Sequence, residues 1–280
     1  RACVPSGAST GDKEALELRD KNKAWRGKGV QKAIANIEQK IKPALIREPC
    51  FNIKNIDNIM LDLDGTHNKS NLGANAILAV SLANIHAGAK HCKQQLFEYI
   101  YEHFNNFKGI CSMTMPVPLM NILNGGSHAD NNVDVQEFMI MPINFKNYSE
   151  ALQAGVEIFH SLKDILKKQN YNTAIGDEGG FAPTLRNNEE AIELILEAIM
   201  KANYTPGNEI SLALDVAASE LYNKADKKYH LISEKKTLSS LQLIKYYERL
   251  CKQYPIISIE DGLDQNDWKH WKTLNQLLGE

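Results

Sequence analysis

The sequence predicts an α/β fold: the first part of a (β/α)8-type barrel, preceded by a smaller, mainly helical α+β domain. Three observations carry that expectation. First, three apolar runs each end in a carboxylate: Thr173-Ala-Ile-Gly-Asp177-Glu178, Ile210-Ser-Leu-Ala-Leu-Asp215 and Ile256-Ile-Ser-Ile-Glu260-Asp261. Second, each run is brief and bounded by turn residues, the pattern of a short buried strand. Third, each is followed by a segment of helical period, and strands alternating with helices imply a parallel sheet wrapped by helices.

The elements can be justified in chain order. After an irregular opening, Ala33, Ile34, Ile37, Ile41 and Leu45 recur at helical spacing. Asn75 to Lys90 is a second, nearly apolar helix, and Leu96 to Phe104 a third. Gly109, Pro116 and Pro118 then punctuate the chain, which places a boundary between a domain at 1–108 and one at 109–280. Pro116-Val-Pro-Leu-Met-Asn-Ile-Leu and Val135-Gln-Glu-Phe-Met-Ile-Met-Pro read as strands flanking a polar loop. Ala151 to Lys168 carries a helical stripe through Leu152, Val156, Phe159, Leu162 and Leu166. Beyond it the alternation is regular: strand to Glu178, helix Glu189 to Lys201, strand to Asp215, helix Leu238 to Lys252, strand to Glu260, helix Asp267 to Leu278. That gives about five barrel strands, where closure takes roughly eight. With Arg1 rather than methionine at its start, the chain is expected to be a fragment lacking both ends.

Composition removes several classes of function. The formal net charge of −2 gives no attraction to nucleic acid or to an anionic membrane. The longest apolar stretch, Ala74 to Ala89, is broken by Asn75, Asn84 and His86 and is too short to span a bilayer. The five cysteines are odd in number and scattered, which fits reduced thiols in the cytoplasm and speaks against a disulfide framework or a zinc site.

The candidate chemistry lies where strands end, because a parallel barrel gathers its strand carboxyl ends on one face. Acids brought to one point repel unless a cation lies between them, and an all-carboxylate site selects a hard ion, magnesium first. Asp215 and Glu260 end successive strands and are the candidate metal ligands; alone, either is as readily a helix cap. Gly176-Asp-Glu-Gly-Gly-Phe-Ala-Pro183 sets an acid pair among glycines, making Glu178 the candidate proton-transfer group. The bland alternative is an ordinary strand-to-helix turn. Asn124-Gly-Gly-Ser-His128-Ala-Asp-Asn-Asn132 places His128 in a Gly-hinged loop, with Gln136 and Glu137 opening the next strand. Pro5-Ser-Gly-Ala-Ser-Thr-Gly11 is either a surface turn or a loop that closes over substrate. The lysine-rich stretches Lys21 to Lys32 and Lys224 to Lys236 read as solvated surface.

Taken together these segments resemble the enolase family. Ser6-Gly-Ala-Ser-Thr-Gly11, Asn124-Gly-Gly-Ser-His-Ala-Asp130, Gln136-Glu-Phe-Met-Ile140, Gly176-Asp-Glu-Gly-Gly180, Leu214-Asp215 and Ser258-Ile-Glu-Asp261 occur in that family's order. The resemblance covers the whole chain, and Asp130-Asn-Asn-Val-Asp134 with Glu260-Asp-Gly-Leu263 looks more like the bacterial branch than the animal one. It implies a glycolytic hydro-lyase that reversibly dehydrates 2-phosphoglycerate to phosphoenolpyruvate. It implies two magnesium ions per site, one structural and one arriving with substrate. By the same resemblance Glu178, with Glu137 beside it, helps expel the C3 hydroxide. Asp215 and Glu260 hold the tight metal, Glu260 also facing substrate, and Ser9 contributes to the second metal. Gln136 and His128 line the substrate pocket.

The resemblance further implies a cytoplasmic homodimer; a secondary cell-surface or secreted pool is not readable from sequence. It places a third metal aspartate, a lysine base and a phosphate-binding loop beyond Glu280, and no lysine ending a barrel strand here replaces that base. The isolated 280 residues are therefore expected to be inactive. Two rivals stand beside this reading: an acid racemase or cycloisomerase of the same superfamily, and a non-catalytic scaffold that has kept the shape.

Overall fold

The computed structural model of the chain describes residues 1–7, 11–104, 113–176 and 179–279. It divides into two compact units, Arg1–Thr114 and Met115–Glu280.

The first unit is helical among its described residues. Helix α1 (Gln31–Asn36) runs through a π-helical stretch (Ile37–Ile41) into α2 (Lys42–Leu45). Pro43 accounts for the irregularity: it has no N–H to donate, and its ring crowds the carbonyl four residues earlier. Helix α3 (Ile53–Asp64), absent from the sequence reading, is capped by Asn52, which accepts from the Asn55 N–H, and stopped by Gly65 at φ 65°. Three Asp and three Asn dilute the apolar signal of its helical stripe between 52 and 64. Helices α4 (Ala74–His91) and α5 (Leu96–Phe104) follow. Ile41, Ile56, Met60, Leu72 and Ala76 form the unit's main core.

The second unit is a partial α/β barrel. Its sheet comprises β1 (Met120–Asn124), β2 (Glu137–Pro142), β3 (Ile175–Gly176), β4 (Gly179–Phe181), β5 (Ile210–Asp215) and a last strand, Ile256–Glu260, in the order β3-β4-β1-β2-β5-last. Helices α6 (Tyr148–Lys168) and α7 (Asn188–Lys201) alternate with these strands. Beyond β5 come a short α8 (Ala218–Leu221) and a small sheet of β6 (Tyr222–Asn223), β7 (Lys228–Leu231) and β8 (Lys236–Leu238). Helix α9 (Ser240–Gln253), strand β9 (the Ile256–Glu260 strand) and α10 (Trp268–Leu278) complete the unit. One apolar core runs through it, with Phe138, Ile140, Ile158, Leu162, Phe181, Ile195 and Leu212 all buried. Stacking of Phe159 on Phe181, ring centroids 4.4 Å apart, seats α6 on the sheet.

Three expectations need correction. The sheet is not uniformly parallel: β2 runs antiparallel to both β1 and β5, whereas β5–β9 and β1–β4 are parallel. The physical reason is the connection, since β1 and β2 are joined by a loop without a crossover helix and a parallel return needs one. Of the expected strand from Thr173 to Glu178, only Ile175–Gly176 is strand among the described residues, and it pairs antiparallel with β4; Asp177 and Glu178 lie outside those residues. Gly179 and Gly180 open β4 at φ 85° and 67°; a Cβ on Gly180 would lie 2.9 Å from the backbone of Ile122 and Leu123. Finally, the lysine-rich stretch from 224 to 236 is more than solvated surface. It folds as the small sheet, whose Tyr229 and Leu231 are buried while the lysines stay outside.

Candidate active site

The strands bring the predicted acids into one row. Cα register pairs Asn124 with Glu137, Glu137 with Asp215, and Asp215 with Glu260. Residues paired across neighbouring strands project to the same face, and such strands lie about 4.8 Å apart. Four polar side chains therefore line one rim of the sheet. The antiparallel course of β2 does not disturb this, because Glu137 begins its strand where Asn124, Asp215 and Glu260 end theirs.

The turns beyond that rim are held in an unusual backbone conformation. Ala217 and Asp261 both have φ 47°, in the left-handed region that costs a non-glycine residue about 1–2 kcal/mol. Hydrogen bonds hold them there: Val216 N–H donates to the Glu260 carbonyl (3.0 Å) and Ala218 N–H to the Asp261 carbonyl (2.8 Å). The two strand ends carrying the acids are thus locked to each other.

The electrostatics of the row follow from crowding. Burial, the largest influence, pushes the Asp215 carboxyl above the ordinary aspartate range, and the negative charge of Asp261 adds to it. Hydrogen bonds from the Ala217 N–H (3.1 Å) and the Gln136 amide (3.2 Å) offset that only in part. Glu260 is raised as well, first by burial and then by the charges of Asp215 and Asp261. Like charges held near each other favour protonation or a bound cation.

The loop between β1 and β2 delivers the remaining groups. Gly126–His128 forms a single 3-10 turn, with Gly126 at φ 52°. His128 Nδ1 lies 3.1 Å from Glu137 Oε1, both side chains being largely buried. Gln136 is 4% exposed, and Ser127 Oγ donates to its Oε1 at 2.7 Å, which turns its Nε2 towards Asp215. The geometry thus brings Glu137, Gln136, His128, Asp215 and Glu260 together, whereas Ser9 and Glu178 lie outside the described residues.

Sequence reasoning gave no role to Asn124, which is fully buried and whose amide donates to the Gly179 carbonyl, bracing the start of β4. Its signal was an Asn ending a strand beside a Gly-Gly turn. Ser127 and Asp134 lie inside the sequence motifs without being given a role, and nothing local in the sequence marks Asn188.

The donor set suits a hard cation. Magnesium is commonly held by one or two carboxylates with waters completing its shell, and Asp215 with Glu260 supplies two. Among the described residues no cluster of three or more His, Cys, Asp or Glu side chains is disposed to hold a metal. The fit therefore rests on the carboxylate pair and the adjacent Gln136 amide. Also among the described residues, no helix is long and apolar enough to cross a membrane.

Comparison with known families accords with this geometry. The family described as enolase, N-terminal domain, matches residues 1–100, and enolase, C-terminal TIM barrel domain, matches residues 112–280. The second match alone spans more than half of the chain. The chain belongs to the enolase family.

Proposed function

We propose that this chain carries the acid side of a magnesium-dependent phosphopyruvate hydratase site, which reversibly dehydrates 2-phosphoglycerate to phosphoenolpyruvate and water. The observation that carries the reading is the row Glu137–Asp215–Glu260, with the Asp215 and Glu260 carboxyls raised, in a chain of this family. We propose a cytoplasmic homodimer as its setting.

The chemistry fits such a row. Removing the proton next to a carboxylate builds a dianion, and magnesium held by Asp215 and Glu260 would stabilise that charge. This use of magnesium in enolase-superfamily sites is an established example, not a deduction from the present geometry. The residues of this rim serve binding and the acid side of the reaction, and none of them is assigned the removal of that proton. Gln136, its amide oriented by Ser127, positions the substrate beside Asp215. Glu137, together with Glu178, protonates the departing C3 hydroxide, which leaves as water. His128, 3.1 Å from Glu137, orients that carboxyl and shares its proton.

The test uses the protein as its gene encodes it, with 2-phosphoglycerate and graded Mg2+, following the conjugated product by ultraviolet absorbance. Turnover that needs Mg2+ and falls by about a thousandfold in Asp215→Ala is the expected result. Turnover indifferent to Mg2+, or an Asp215→Ala variant that keeps full rate, would overturn the reading. No turnover, with acid racemisation or cycloisomerisation in its place, would move the chain to another branch of the superfamily.

A further inference from the structure

We infer that Asp134 is a positioning residue: acting through Asn188 and the backbone before β2, it fixes where Gln136 meets Asp215. The kinetic part of this inference rests on the function proposed above; the structural part does not.

Gln136 carries a long side chain whose ordering costs about 1.5–2 kcal/mol of rotamer freedom, so its backbone has to be held. The residues leading into it, Val133 to Val135, belong to no strand. Their N–H groups are satisfied by side chains instead, that of Val133 donating to Asn131 Oδ1 at 3.1 Å. Asn188 Oδ1 accepts from Asp134 N–H at 3.1 Å and from Val135 N–H at 3.3 Å. Gly125 N–H donates to the Gln136 carbonyl (2.9 Å) and Gly126 N–H to the Val133 carbonyl (2.8 Å), which closes the loop on itself.

Everything then depends on which way the Asn188 amide faces. A turned amide would point its NH2 at two N–H donors, so the oxygen must face them. Asp134 enforces that orientation: Asn188 is fully buried, and its Nδ2 donates to Asp134 Oδ2 at 3.2 Å. The Asp134 carboxylate is itself 5% exposed and tied to the β7–β8 turn. Ile232 N–H donates at 2.6 Å, Ser233 N–H at 3.2 Å to both oxygens, and Ser233 Oγ donates to Oδ2. All of these partners are neutral. A buried carboxylate held by neutral donors is costly unless fully hydrogen-bonded, and a cheaper residue would serve if stability were the sole requirement. The chain of contacts ends at the catalytic rim: Asp134, Asn188, the Val135 N–H, Gln136, Asp215.

A purely structural role and a positioning role predict different double-mutant behaviour. On the full-length gene product, Asp134→Asn is expected to lower kcat/KM by about tenfold, yet by less than about twofold when Gln136→Ala is already present. Equal losses in both backgrounds would overturn the inference, because Asp134 would then act without Gln136. Ser233→Ala removes one donor and keeps both backbone donors, so it folds even if Asp134→Asn does not; its expected loss is about threefold. The second readout needs no substrate. In Ser233→Ala, and in Asp134→Asn where it folds, amide exchange at Gly125 and Gly126 should quicken by about tenfold while Leu212 to Leu214 stay protected. Unchanged exchange at both glycines would overturn the inference whatever the substrate is. Quickened exchange in a protein that does not turn over 2-phosphoglycerate would keep the inference and defeat the functional reading instead.

Discussion

Two groups of acids in the second unit have opposite characters. On the outer face, the Glu189 carboxylate takes both terminal nitrogens of Arg249, at 2.7 and 2.9 Å, which joins α7 to α9. That guanidinium holds the Glu189 carboxyl below the ordinary glutamate range. Its neighbour Glu190 is 6% exposed, and burial is the largest single influence on it, acting upwards. The Arg186 N–H (2.5 Å), the Tyr171 hydroxyl (3.0 Å) and the Arg186 side chain (2.8 Å) outweigh burial, so Glu190 also lies low. At the strand ends, Asp215 and Glu260 are raised, first by burial and then by the acids beside them. The same residue types stabilise the fold in one place and burden it in the other. Acids kept where they repel each other are candidates for chemistry rather than for stability.

The comparison can be broken most visibly at Glu260. Glu260→Gln should cut kcat/KM by about a hundredfold or more, while the metal-free protein melts no lower and gains about 0.5 kcal/mol from relieved repulsion. Thermal melts with and without Mg2+, alongside steady-state rates, check both halves. A variant that loses stability without metal would show that Glu260 belongs with the outer acids.

Glu190 should behave in the opposite sense. Its carboxyl is depressed in the folded state from an ordinary value of 4.5, so its contribution is fully present above that value. The contribution is lost as pH falls through the lower folded value. Glu190→Gln should therefore cost about 1–2 kcal/mol at neutral pH, and the gap to the parent should narrow below about pH 4. Denaturant unfolding at graded pH measures it; a gap that widens with acid would contradict the assignment. The smallest effect belongs to the exposed pair Lys252–Glu248, 2.7 Å apart on one face of α9. Glu248→Ala should leave both the unfolding midpoint and the rates unaltered, because water and salt screen an exposed pair.

How much of this was legible in the sequence differs element by element. The acids at 215 and 260 were legible because each closes an apolar run, and position within a strand survives without knowledge of its neighbours. Helices α6, α7 and α9 were legible for the same reason: their apolar stripes are local, and Asn147, Asn187 and Ser239 cap them within the next turn. The direction of β2 was not legible, since alternation of side chains is identical for a strand read either way. The small sheet was hidden by its lysines, whose alternation with Tyr229 and Leu231 shows only once the buried face is known.

By itself, the sequence determined the strand–helix order, the residues that close each strand and the family to which the chain belongs. These rest on periodicity and motif, which are properties of neighbours along the chain. The tertiary structure alone decided that Glu137, Asp215 and Glu260 share one register row, because register is set by packing between strands far apart in sequence. It alone brought Asp134 to its partners, which lie 54 residues away in Asn188 and 99 in Ser233. Hydrogen bonds across such separations follow from the folded core, which brings the groups together before any of them can be paired.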